Sequence, residues 1–141
     1  GFSISEEKMK KGEGERVDEY RKLKNRIYNK TKKNMEEIGT FRPEFEAPVR
    51  RYAELRMQFD ILNEQWYEDG CQITEDYTNK GGATNKRKTV LYLSLETLRK
   101  ELIELENLFG LTPRGLKAIR AKGLEREKGS ALDAVLTKLD G

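Results

Sequence analysis

The chain has 141 residues, about one domain's worth, of which only 35% are hydrophobic and 38% charged. That balance argues against a thick single core and favours a thin helical assembly that completes its core by oligomerising. It has no histidine and one cysteine, Cys71, so an internal disulfide and any Ser-His or Cys-His pair are excluded and a zinc site nearly so.

The net charge of +3 says little until its distribution is read. No run approaches 18 apolar residues, the length that marks a membrane span. The charged first thirty residues hold nothing like a signal peptide. The expectation is an intracellular protein without a membrane partner.

Residues 1–14 are polar and interrupted by Gly12 and Gly14, which reads as a mobile arm. From Glu15 a helical pattern begins. Val17, Tyr20, Leu23, Ile27, Tyr28, Met35 and Ile38 recur at three- and four-residue steps, and Gly39 is its stop. Within it, residues 21–33 carry seven basic residues and no acid: Arg21, Lys22, Lys24, Arg26, Lys30, Lys32 and Lys33. Clustered cations of this kind are either a solvated helix face or a nucleic-acid contact, since counterion release needs them grouped.

Pro43 opens a second helix running to about Glu68, with Phe45, Val49, Tyr52, Phe59, Leu62 and Trp66 on its apolar face. Pro48 threatens a kink near its start, and Asp69-Gly70 ends it. Residues 71–86 form a connector, either a short β-hairpin with Gly81-Gly82 near its tip or an irregular loop. Asn85 or Thr84 is then the cap of the next helix. That places Lys86, Arg87 and Lys88 in its first turn, against the helix dipole, and points to an acidic partner for them, either DNA or, slightly favoured, a neighbouring subunit's acidic helix.

The third helix carries the clearest signal. Leu91, Leu95, Leu98, Leu102, Leu105 and Phe109 follow alternating steps of four and three, a seam of a and d positions widened by Val90, Leu93, Ile103 and Leu108. A helix this apolar needs two neighbours. One is the preceding helix, folded back antiparallel. The other is a second subunit, so the seam, with Lys86 and Arg87, is the expected oligomer interface.

Gly110 stops this helix and Thr112-Pro113 starts a short one through Lys122, in which Arg114, Lys117, Arg120 and Lys122 are basic without any acid. Gly123 ends that, and Ser130 caps a last short helix bearing Leu132, Val135, Leu136 and Leu139. The expected fold class is all-α: a long antiparallel helical hairpin with a short connector, flanked by a basic N-terminal helix and short C-terminal helices, completed by oligomerisation. Three segments follow: 1–39 for DNA, 40–122 for oligomerisation, and 123–141 as linker and final helix.

Nucleotide chemistry fails on spacing. The glycines of Gly81-Gly82 are adjacent and none precedes Lys88-Thr89 at the phosphate-loop distance; no dinucleotide fingerprint exists. Carboxylate pairs such as Glu75-Asp76 belong by default to solvated surfaces. No catalytic residue, metal ligand or cofactor is assigned.

Several fragments, in order, resemble one family: "FRPEFEAPVRRYAEL", Gly70, "YTNKGGATNKRKT", and "LETLRKELIELENLFGLTPRGLKAI" with its closing Gly110-Leu111-Thr112-Pro113. Over roughly residues 41–120 this is similar to the small terminase subunit of tailed bacteriophages, of the P27 type. The resemblance implies a non-catalytic subunit that recognises double-stranded viral DNA. It also implies a ring of copies that hands DNA to the large terminase subunit in the cytoplasm of the infected bacterial host. It supplies no recognition helix, because residues 1–39 lack the helix-turn-helix of many small terminases; the DNA-binding candidates rest on charge alone. Two other readings remain, a coiled-coil adaptor and a small DNA-binding transcriptional regulator.

Overall fold

The computed structural model describes residues 4–140, with side chains described at 12–124 and 129–139. Helix α1 (Ile4–Ile38) is followed by a 3₁₀ turn (Pro43–Phe45) and α2 (Glu46–Glu68). Strands β1 (Thr74–Thr78) and β2 (Thr84–Lys88) come next, then α3 (Val90–Leu108) and α4 (Pro113–Asp140).

Three expectations are corrected. The N-terminal arm is helical from Ile4, so Gly12 and Gly14 lie inside α1; residues 1–3 fall outside the described residues. The two short C-terminal helices are one, with Gly123, Gly129 and Ser130 in its interior. A helical glycine costs only about 1 kcal/mol relative to alanine. The Glu, Lys, Arg and Leu around these glycines are strong helix formers and carry the helix through. Gly39, Gly70 and Gly110 do end helices, each at positive φ. Third, the leucine helix is capped by Thr89, whose hydroxyl accepts the Tyr92 N–H at 3.1 Å. Asn85 and Thr84 sit in β2, and Lys86–Lys88 are strand residues. The unfavourable placement at a helix start therefore does not arise. Pro48 lies in the first turn of α2, where its missing N–H has no intrahelical partner to lose, and α2 continues unbroken to Glu68.

Helices α1, α2 and α3 form a thin layer. Tyr52, early in α2, meets Glu106 and Phe109 at the far end of α3, while Trp66, late in α2, lies 6.3 Å from Tyr92 at the start of α3. These contacts set α3 antiparallel to α2. Lys24 meets Glu54 and Tyr28 meets Glu46, so α1 also runs antiparallel along α2.

The core gathers at the end where α1 stops, α2 starts and α3 stops. Met35, Val49, Tyr52, Leu102 and Phe109 are buried there, ringed by Ile27, Phe41, Phe45, Leu105 and Leu111. Phe109 has no exposed surface and meets Phe45 and Tyr52 edge to face, each at 5.8 Å between centroids.

Two chain reversals are tied together at this core. The Thr40 hydroxyl donates to the Phe109 carbonyl at 2.7 Å, joining the α1–α2 turn to the α3–α4 turn. Gly110 takes φ +73° there, and the Leu111 N–H closes on the Glu106 carbonyl at 2.9 Å. Thr112 caps α4 by accepting the Gly115 N–H at 3.0 Å, and its hydroxyl donates to Asn107. Gly-Leu-Thr-Pro is thus a helix stop and a helix start sharing one corner.

Gly115 lets α4 lie directly on the end of α3. A Cβ there falls 2.1 Å from the Asn107 carbonyl oxygen, a clash only backbone movement relieves. Gly115→Ala is expected to cost about 1–3 kcal/mol by overpacking, read as a lower urea midpoint at fixed protein concentration. An unchanged midpoint removes this close approach.

Candidate nucleic-acid and assembly interfaces

The α1 helix sorts its seven clustered cations by face. Ile27, Thr31 and Met35 point into the bundle. Lys24 is drawn to that side, its Nζ 3.3 Å from a Glu54 carboxylate oxygen on α2. Lys32 lies over the Phe41 ring, 5.0 Å from its centroid. Arg21 reaches Asp18 on its own helix at 3.8 Å. The other four, Lys22, Arg26, Lys30 and Lys33, are exposed and follow steps of four, four and three on the outer face. Among the described residues none of them has a carboxylate within ion-pair distance. Their Cα span is about 16 Å at 1.5 Å per residue.

Beside this row runs an open cleft of about 470 Å³, lined by Lys30, Thr31, Tyr52, Arg56, Asp60 and Glu106 among others. Four of its polar groups are paired with each other. The Tyr52 hydroxyl donates to a Glu106 carboxylate oxygen at 2.7 Å, and Arg56 donates to Asp60 at 3.1 Å. Burial, then the Glu106 hydrogen bond and charge, push the Tyr52 phenol well above its ordinary value. A raised folded-state value means the folded chain holds this proton more tightly than the unfolded chain. The contribution is complete below the ordinary tyrosine range near pH 10 and declines as pH rises beyond it. Tyr52→Phe is therefore expected to cost about 1–2 kcal/mol at neutral pH and to flatten the fall of stability between about pH 10 and 12. Equilibrium unfolding at stepped pH tests this; an unaltered alkaline limb removes the Tyr52 assignment.

The leucine seam, expected as an oligomer interface, is largely covered within the single chain. Leu95, Leu98, Leu102 and Phe109 are buried within the single chain, and Leu91 and Leu105 are half-buried beside them. A four-three seam specifies that a neighbour exists; here α2 of the same chain supplies much of it. What remains open to another molecule is the flank of α3, with Val90, Leu93, Ile103 and Leu108 exposed. The far half of α4 exposes Leu132, Val135, Leu136 and Leu139 as well.

Lys86 and Arg87 are exposed on β2, but cross-strand acids meet them. Lys86 lies 3.2 Å from Asp76 and Arg87 3.0 Å from Glu75, and the Arg87 guanidinium sits 5.0 Å from the Tyr77 ring centre. Lys88 turns to Glu96 on α3 at 2.9 Å, and that bond raises its pKa above the usual lysine value. Sequence reasoning missed these partners. The signal was present in "TEDYT" and "TNKRK", one strand acidic and the other basic across a Gly-Gly turn. The second basic row, Arg114, Lys117, Arg120 and Lys122, is exposed at the start of α4.

Comparison with curated proteins found no match, and comparison with solved structures found none either. A family model described as the small subunit of phage terminase matches residues 25–125. The matched segment runs from within the basic part of α1 through the core, the β-hairpin and the Gly-Leu-Thr-Pro corner to the first part of α4. Covering well over half of the chain, that match shows that it belongs to the phage terminase small-subunit family.

Proposed function

We propose that this chain is a non-catalytic subunit that binds double-stranded viral DNA and starts genome packaging by the large terminase subunit, acting as a homo-oligomeric ring in the infected host's cytoplasm. Family membership supports a part in phage DNA packaging. The observation that carries DNA recognition is the outward row Lys22, Arg26, Lys30 and Lys33, four cations on one rigid helix with no carboxylate partner among the described residues. Duplex DNA carries one charge per about 1.7 Å of axis, so a row of about 16 Å faces about ten phosphate charges.

Assembly is supported by the thin core and by the exposed apolar flank of α3 and end of α4. The test is duplex binding by the whole chain across a salt series, with mass measured in parallel. DNA affinity that falls steeply with salt, in a species of several subunits, supports the reading. No binding at low salt returns the chain to an adaptor role. A dimer on one short duplex fits a transcriptional regulator instead.

A further inference from the structure

The hairpin projects from the helical layer with nearly every side chain exposed; only Glu75 is half-buried. A lone two-stranded hairpin is marginal in water, and free strand edges are templates for another strand. The ladder shows what those edges offer. The Thr89 N–H bonds to Ile73 O and the Asn79 N–H to Ala83 O, which fixes Glu75–Arg87 and Tyr77–Asn85 as the pairs bonded within the hairpin. The backbone groups of Asp76 on one edge and Lys86 on the other therefore point outward.

Charge decides which edge meets which. β1 carries Glu75 and Asp76; β2 carries Lys86, Arg87 and Lys88. Two β2 edges together set basic beside basic, and two β1 edges set acid beside acid, both destabilising. The edge of β2 against the edge of β1 is complementary, and it is antiparallel when both hairpins have the same orientation.

We infer that the β-hairpin is a joint between copies of this chain: the outer edge of β2 in one copy pairs with the outer edge of β1 in the next. This rests on the assembly proposed above and names the surface that makes it. Repeating the internal register across the joint puts Lys86 beside Asp76 and Arg87 beside Glu75 of the following copy. Rows of alternating sign then cross the whole sheet. Such a contact is head-to-tail, the kind that closes into a ring when its rotation permits.

The test uses a chain with Glu75→Lys, Asp76→Lys, Lys86→Glu and Arg87→Glu together. Complementarity within the hairpin survives, so this chain alone assembles to the wild-type mass. Co-expressed with wild type, it sorts into separate assemblies, because at every mixed joint like charges face each other. Native mass spectrometry should show mixed species at least about tenfold below binomial proportions. Lys86→Pro, which removes one outward donor and spares the internal ladder, should lower the assembled fraction while helical content is kept. Binomial mixing, unchanged assembly of Lys86→Pro, or a folded swapped chain that stays monomeric each overturns the joint. A wild-type chain that is itself monomeric overturns the assembly reading as a whole, so the two failures are distinguishable.

Discussion

Phe109→Ala is expected to lower stability by about 3–5 kcal/mol, the range for truncating a fully buried aromatic residue. Phe109 has no exposed surface, and its ring is held edge to face by Phe45 and Tyr52. The loss is more than apolar area. Phe109 is the C-terminal cap residue of α3, and its carbonyl accepts the Thr40 hydroxyl. An emptied ring site loosens the corner that joins both reversals, and the described residues form no second core of similar size to compensate. Urea unfolding followed by circular dichroism at one protein concentration measures it; fixing concentration matters because assembly shifts apparent stability. A loss below about 1 kcal/mol would show that the site collapses freely and would remove the corner from its central place.

Neutralising the outer row is expected to have the largest effect on DNA. With Lys22, Arg26, Lys30 and Lys33 all changed to alanine, the slope of log affinity against log salt should become shallower by about 3–4 per subunit, at about 0.9 for each phosphate no longer neutralised. Affinity at low salt should fall on the order of 100- to 1,000-fold. The four side chains are exposed, so stability should change by less than about 0.5 kcal/mol for each. Lys24→Ala with Lys32→Ala is the internal comparison. Those cations are engaged by Glu54 and the Phe41 ring, and their removal should change DNA affinity less than about threefold. Equal effects from both sets would show that total charge matters and the face does not. Substitution is the right tool because α1 also supplies Ile27, Tyr28 and Met35 to the core; deleting residues 1–33 would remove the outer cationic row and part of the core together.

The helices are legible in the sequence wherever an apolar stripe ends at a glycine that the chain needs at positive φ, as at Gly39 and Gly110. The same residue misleads at Gly12, Gly14, Gly123 and Gly129, where strong helix formers on both sides outweigh a cost of about 1 kcal/mol. The hairpin leaves only a faint trace. Its strands are too polar to alternate, and their partners become visible only once Glu75 and Asp76 are set opposite Arg87 and Lys86. The leucine seam does mark a packed face, and α2 of the same chain already covers much of it; periodicity records that a face is covered and not by what. The seven cations can be counted from the sequence. Which four face outward depends on where α2 places Glu54 and where the turn places Phe41.

The bond from Thr40 to Phe109 spans 69 positions of chain. Helices, the Gly81-Gly82 turn and the caps form from neighbours in sequence, on microsecond timescales. The corner must wait until α2, the hairpin and α3 have brought two distant turns together, and loop-closure entropy opposes that meeting. It is therefore expected to form late. Interactions formed after the folding barrier act on the rate of unfolding more than on the rate of folding. Thr40 and Phe109 are then expected to govern how long the folded chain lasts, a matter of persistence, while the local elements set how fast it arises.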